Sequence, residues 1–114
     1  MYPGLANDVG VSFDDDLWVI GTPKVAGGYG IYHWVNGNWV NVPGAGVRIA
    51  VGPTGPWVVN EYGNIFQFNG TSWDLKPGCA KDIGIGANGT VWVTGCGNTD
   101  GGEGIHRWNG VGWD

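Results

Sequence analysis

Asn64-Ile65-Phe66-Gln67-Phe68-Asn69-Gly70-Thr71-Ser72-Trp73 occurs in this chain in three versions. The others are Gly30-Ile31-Tyr32-His33-Trp34-Val35-Asn36-Gly37-Asn38-Trp39 and Gly104-Ile105-His106-Arg107-Trp108-Asn109-Gly110-Val111-Gly112-Trp113. Each reads as a short apolar or aromatic strand, a turn containing Asn-Gly, and a tryptophan. Asn-Gly between hydrophobic runs is a strong hairpin signal, because a tight primed turn needs positive φ at both central residues. A hairpin repeated at near-constant period signals a repeat architecture.

The repeat extends on both sides of this hairpin. Upstream in each unit lies a run with a glycine seven positions before a β-branched residue: Gly4 to Val11, Gly44 to Val51 and Gly78 to Ile85. Its alternation of apolar and small residues fits a strand buried on at least one face. A turn follows, then a second strand opened by tryptophan: Trp18-Val19-Ile20, Trp57-Val58-Val59 and Trp92-Val93-Thr94. The Ile-led third strand comes next, and the fourth starts at Trp39, Trp73 or Trp113. No stretch has apolar residues at helical spacing with caps, so an all-β chain is expected. Four antiparallel strands in 34 to 40 residues describe a β-propeller blade. Blades are expected at 4–43, 44–77 and 78–114, making residues 1–114 a single domain with three blades per chain. Trp18, Trp57 and Trp92, with Trp39, Trp73 and Trp113, read as packing between blades.

The third unit stops at Asp114, just after its last tryptophan, while Met1-Tyr2-Pro3-Gly4 resembles the Val42-Pro43-Gly44 and Lys76-Pro77-Gly78 joints. Residues 1–3 are therefore expected to complete a last strand across a dimer seam. Three blades cannot close a ring, and open blades expose strand edges and apolar faces. A homodimer forming a six-bladed ring is the expectation, its seam running through Trp113 and Tyr2.

Composition narrows the class. The 114 residues include 24 glycines and 8 tryptophans, so the glycines punctuate strands and do not mark a disordered linker. A formal charge of −5 with five basic residues argues against a nucleic-acid partner. No apolar run approaches the roughly 20 residues of a membrane-spanning helix, so no membrane insertion is expected. No signal-peptide pattern precedes the first repeat, which favours a cytoplasmic chain, or a secreted one whose signal lies outside this sequence.

The run Trp57-Val58-Val59-Asn60, Gly63-Asn64-Ile65-Phe66, Asn69-Gly70-Thr71-Ser72-Trp73, Pro77-Gly78, Asp82-Ile83-Gly84-Ile85-Gly86 and Asn88-Gly89-Thr90-Val91-Trp92 resembles the tectonin repeat. The resemblance covers all three units, half the number usual in the small lectins of that family. It implies a six-bladed propeller and a carbohydrate-binding lectin, with methylated sugars among the ligands. Tectonin-type repeats also serve as protein-interaction scaffolds, so that is the alternative.

Candidate reactive groups do not assemble into chemistry. Gly84-Ile85-Gly86-Ala87-Asn88-Gly89 matches G-x-G-x-x-G, but a strand follows where a dinucleotide site needs a helix N-terminus. Asp14-Asp15-Asp16 could offer carboxylates to calcium, yet the aligned turns are not acidic, and a solvated hairpin tip is the better reading. His33 aligns with Gln67 and Arg107, while His106 aligns with Tyr32 and Phe66, so the two imidazoles point to opposite faces. Ser12 and Ser72 have no His–carboxylate pattern around them. No enzyme, no metal and no cofactor is expected. If Ile85 pairs with Trp92, Cys79 falls opposite position 98, near Cys96, and a bulge at Gly95 or Gly97 would allow a disulfide. A reduced pair of small apolar residues is equally open.

The turns between first and second strands, and between third and fourth, share one rim of a blade array. The second-to-third loops and the Pro-Gly joints share the other. Thr22–Tyr29 and Cys96–Glu103 read as loops longer than Asn60–Asn64, so the variable rim is the expected binding face. Sugars require an aromatic plate for their C–H faces and planar carboxylates or amides for hydroxyl pairs. Glu61, Tyr62, Asn64 and Asp82 form the expected carbohydrate-binding site, with Tyr29 and Glu103 as further candidates.

Overall fold

The computed structural model describes residues 2–99 and 102–114, with side chains at all of these except 98–99 and 102–103. The described residues form strands and turns, with no helix. One antiparallel sheet contains β1 (Asp8–Val11), β2 (Leu17–Val25), β3 (Gly28–Val35) and β4 (Asn38–Gly46) in that order. A second contains β5 (Arg48–Gly52), β6 (Gly55–Val59), β7 (Ile65–Phe68) and β8 (Trp73–Lys76). The third has β9 (Ala80–Ile85), β10 (Val91–Thr99) and β11 (Gly102–Arg107). Its fourth strand is reduced to one bridge between Trp108 and Trp113, flanked by a hydrogen bond of 2.8 Å from Asp114 N–H to the Arg107 carbonyl.

The core lies between sheets, because alternate residues of each second strand face opposite neighbours. Trp18, Ile20 and Ile31 of the first sheet pack against Ile49, Val51 and Val58 of the second. On the far side of the second sheet, Trp57, Val59 and Ile65 pack against Val91 and Val93 of the third. The apolar run Trp57-Val58-Val59 is continuous because this middle strand is covered on both faces. Each fully buried Ile contributes about 1.5–3 kcal/mol of transfer free energy.

Aromatic geometry repeats from seam to seam. Trp18 meets Phe68 edge-on at 5.4 Å and Trp73 at 6.3 Å; Trp57 meets Trp108 at 5.7 Å and Trp113 at 6.2 Å. The fourth-strand tryptophans have a second role. Trp39, Trp73 and Trp113 donate their indole N–H to the carbonyls of Pro3, Pro43 and Pro77 at 2.7, 2.8 and 2.7 Å. Each Pro-Gly joint is thus fastened to the sheet it leads into.

Three local expectations need correction. The Asn-Gly dipeptide makes two kinds of turn. Asn36 and Gly37 both have positive φ, 51° and 80°, in the tight turn joining Val35 to Asn38. In the other repeats Asn-Gly sits one residue earlier, and the Asn side chain caps a longer loop. Asn69 Oδ1 accepts from the N–H groups of Thr71 and Ser72, and Asn109 Oδ1 from those of Val111 and Gly112.

The second correction concerns the Thr22–Tyr29 and Cys96–Glu103 insertions, which are not loops. Past a bulge after Ile20, Lys24 pairs with Tyr29 and Val25 with Gly28, so the first insertion is a hairpin arm turning at Ala26-Gly27. The backbone of the second pairs likewise, Asn98 with Glu103.

Third, Ile85 pairs with Val91, one residue from the expected register. A bulge between Thr94 and Gly95 then sets Gly95 opposite Ala80 and brings Cys79 to Cys96. The two are joined by a disulfide with Cα atoms 5.5 Å apart.

Candidate functional site

The rim that carries the second-to-third connections and the Pro-Gly joints has pockets at each sheet edge. Between the first and second sheets a cavity of about 230 Å³ is bounded by Ala26-Gly27, Gly44-Ala45, Phe66 and Trp73. On the open face of the first sheet the corresponding positions, Gly4, Leu5, Tyr32 and Trp39, border a cavity of about 270 Å³ together with Tyr2 and Pro23. Between the second and third sheets Asn60–Gly63 faces Ala80, Lys81 and Cys96 around about 230 Å³.

One ring position recurs on this rim. Tyr32, Phe66 and His106 follow the Ile of each third strand. The Tyr32 ring lies so flat across the sheet that a Cβ at Gly21 would stand 2.6 Å from it. The His106 imidazole lies in the same way against Gly95 and Gly104. Small residues on neighbouring strands give these rings their orientation. The alignment contained the signal, since Tyr32, Phe66 and His106 share a column, but a metal question conceals it.

The expected site residues separate into groups. Glu61 and Tyr29 come together through Lys24, which sequence reasoning missed. The Lys24 ammonium is salt-bridged to the Glu61 carboxylate and lies 5.6 Å from the centre of the Tyr29 ring. This hydrogen bond raises the Lys24 pKa and lowers that of Glu61, with desolvation opposing it in both. The Glu61 N–H also donates to the Gly27 carbonyl at 2.9 Å, so the pair clasps the first hairpin arm to the second sheet.

Tyr62 is 69% exposed and borders the second-to-third cavity beside Glu61. Its loop is shaped by Asn60, whose Oδ1 accepts from the N–H groups of Tyr62 and Asn64 at 3.0 and 2.9 Å. Gly63 has φ of +83° and rests on the disulfide, where an added Cβ would meet Cys79 Sγ at 2.4 Å. The Gly63 carbonyl accepts from Ala80 N–H at 2.9 Å. Asn64 is exposed, and its backbone is held by the same turn.

Asp82 belongs elsewhere. It lies on β9, an edge strand of the third sheet, 3.9 Å from Arg48 Nε, and borders the open face with Trp92 and Ile105. Asp8, in the equivalent position on β1, accepts from Ile49 N–H at 2.8 Å and ties the first two sheets together. The Glu103 side chain lies outside the described residues.

The residues weighed for other chemistry are engaged in structure. Ser12 donates to Asp14, which holds that carboxyl below the usual carboxylate range. Asp16 Oδ1 accepts from Trp18 Nε1 at 3.2 Å and is hydrogen-bonded to His33 Nε2 at 2.6 Å. His33 stacks on Trp18 at 4.1 Å. Among the described residues no group of three or more His, Cys, Asp or Glu side chains is placed to hold a metal ion.

Repeated antiparallel meanders, packed face to face through tryptophan and bearing aromatic-lined pockets between them, define an all-β repeat protein. A family model described as the Tectonin domain matches residues 19–101, well over half the chain, and the chain belongs to that family. None of the curated proteins compared with it matches.

Proposed function

We propose that the chain is a carbohydrate-binding lectin without catalytic activity, taking glycans in the pockets between successive sheets. The observation that carries this reading is the recurring ring of Tyr32, Phe66 and His106 beside indole-fastened Pro-Gly joints. Tyr32 and Phe66 supply an aromatic plate to the pockets at the first two sheet edges, and His106 repeats the position on the third sheet. Val19, Pro23, Tyr32 and Trp39 make the pocket on the open face of the first sheet predominantly apolar, which favours a sugar bearing an apolar substituent such as a methyl ether. Tyr62, largely exposed above the third, offers a further stacking surface beside Glu61 and Lys81. Membership of the tectonin family supports the same reading.

In this proposal the sheets are propeller blades, and a second copy completes a six-bladed ring. Support comes from the two uncovered faces. Trp92 and Ile105 on the third sheet stand where Trp57 and Ile65 are buried in the second. Val9 and Val11 on the first sheet stand where Ile49 and Val51 are buried. The two faces are successive halves of the internal seam, so one copy's third sheet fits the other's first. A closed two-fold ring leaves neither face open. Repeated pockets then add avidity on a multivalent glycan.

A glycan array carrying O-methylated and unmethylated sugars tests the function, followed by titration of the best ligand. Tyr32→Ala or Tyr62→Ala is expected to weaken binding by about 1–3 kcal/mol wherever that ring stacks on the sugar, taking base–aromatic stacking as the nearest analogue. Silence on every glycan, together with capture of a specific protein partner, would replace the lectin with an interaction scaffold.

A further inference from the structure

The dipeptide Asn-Gly occurs four times, at Asn36, Asn69, Asn88 and Asn109. Three copies lie in third-to-fourth turns, and Asn88 lies in the turn joining β9 to β10. Such a pair can react with itself. The glycine main-chain nitrogen, unhindered by a side chain, loses its proton to base and bonds to the asparagine Cγ. The Cγ–Nδ2 bond breaks and ammonia leaves, giving a five-membered imide. Water then opens the imide at Cγ to give aspartate, or at the main-chain carbonyl to give isoaspartate, whose chain runs through Cγ. The balance is amide plus water giving acid plus ammonia, with no change of oxidation state. We propose that Asn36 is the site of this conversion in the folded protein, and that folding protects the other three asparagines.

All four asparagines are exposed, so access of water does not separate them. Hydrogen bonding does. Asn69 Oδ1 accepts from the N–H groups of Thr71 and Ser72 at 3.0 and 2.9 Å, while its Nδ2 donates to Asp74 Oδ1 at 3.0 Å. Asn109 Oδ1 accepts from Val111 and Gly112 at 2.9 Å each, and its Nδ2 donates to Asp114 Oδ1 at 2.8 Å. Asn88 Oδ1 accepts from Thr90 N–H at 3.0 Å. There the attacking nitrogen is engaged as well, since Gly89 N–H donates to the Gly86 carbonyl at 2.9 Å. Each carboxamide clasps its own turn, and its Cγ cannot swing onto the next nitrogen until the clasp opens.

Asn36 differs because the main chain alone shapes its turn. Positive φ at Asn36 and Gly37, with Val35 paired to Asn38, closes the two residues without help from the side chain. The Asn36 main-chain carbonyl accepts from Asn38 Nδ2 at 3.5 Å, but the carboxamide has no hydrogen-bond partner among the described residues. Gly37 is open too: a Cβ there would meet nothing within 4 Å. One net hydrogen bond that must break first slows a step about fivefold, so Asn69 and Asn109 should trail Asn36 by about tenfold or more. The product adds a carboxylate to a chain of formal charge −5. Isoaspartate also adds a main-chain atom to the turn that pairs Trp34 with Trp39, whose rings stand 4.8 Å apart. The aged protein is therefore more acidic, with that hairpin end loosened.

The test is a time course on the folded protein at mildly alkaline pH, with peptide mapping by mass spectrometry to follow amide-to-acid conversion at each site. Chromatography of the same peptides tells isoaspartate from aspartate. A parallel sample in denaturant removes the clasps. In the folded protein Asn36 is expected to convert about tenfold or more faster than Asn69 and Asn109, and in denaturant the four rates should draw together. Asn36→Gly suits a turn with positive φ and should abolish the early acidic species on isoelectric focusing. The proposal is overturned if Asn36 in the folded protein converts no faster than the other three. It is overturned equally if the rates keep the same spread in denaturant, or if Asn36→Gly acidifies as fast as the wild type.

Discussion

Ile65 and Ile105 occupy the same position in successive repeats, opposite Val59 and Thr94 respectively. Ile65 is fully buried, whereas Ile105 is 71% exposed. The tryptophans two strand positions away diverge likewise: Trp57 is 3% exposed and Trp92 45%. Nothing in the two sequences accounts for this, since both repeats have the same apolar signature. The difference is in the neighbour. The second sheet has another sheet on each side, and the third has one on a single side. Burial in a repeat protein is thus a property of the interface between units.

The comparison is broken most severely from its buried side. Ile65→Ala removes a fully packed side chain between two sheets and is expected to cost about 2–5 kcal/mol in denaturant unfolding. Ile105→Ala, measured at dilution where copies are apart, is expected to change stability by no more than about 0.5 kcal/mol. Equal costs for the two would mean that exposure of the third sheet is not what distinguishes them.

A smaller effect sharpens the joint between units. Trp73→Phe keeps a ring beside Phe68 and Trp18 but removes the N–H that reaches Pro43. An expected loss of about 1 kcal/mol follows from one net hydrogen bond. Trp92→Phe, on the open face, is expected to cost less at dilution; a loss as large as that of Trp73→Phe would count against the comparison.

The smallest effect concerns the Lys24–Glu61 clasp between the first hairpin arm and the second sheet. Glu61 has its pKa lowered by folding, so its contribution is present above the ordinary carboxylate value of 4.5 and is lost as pH falls through the depressed one. Lys24 has its pKa raised, so its contribution is complete below 10.5 and is lost as pH rises through the higher value. Exposed ion pairs contribute little to stability, so the expected readout is local. The Glu61 amide signal should move on acidification with a midpoint below 4.5, and Lys24→Met should raise that midpoint towards 4.5.

Much of this architecture was legible in the chain. Strand order and the all-β class follow from the repeated Ile-to-Trp spacing, and the partition of turns between two rims follows from the meander. The bulge that joins Cys79 to Cys96 was foreseeable only as an option, because a one-residue slip of β9 against β10 leaves the apolar pattern readable. Thr22–Tyr29 looked like a loop because Gly, Pro and Lys interrupt it. The pairing that makes it a hairpin arm comes from its own Ala26-Gly27 turn and the bulge after Ile20.

The candidate site was less legible. Glu61 and Tyr29 are joined only by a lysine from another strand of the first sheet, and no spacing rule links positions 24 and 61. Asp82 was grouped with Tyr62 by its place on an inter-repeat joint, yet its carboxylate is near Arg48, on the face away from that loop's cavity. The ring column of Tyr32, Phe66 and His106 was visible but chemically mixed, and the flat lie of Tyr32 and His106 against glycines of their own sheets is set by packing that no spacing rule predicts.

The most direct test of this account is the mass of the protein in solution, because the proposed ring depends on Ile105 and Trp92 finding the cover that Ile65 and Trp57 already have. Sedimentation velocity at micromolar concentration should give twice the 12.0 kDa of the chain. Ile105→Asp, which sets an unpaired charge in the proposed seam, should return a folded particle to single-chain mass. A folded wild-type particle of single-chain mass, stable across the same concentrations, would contradict closure of the two open faces on each other.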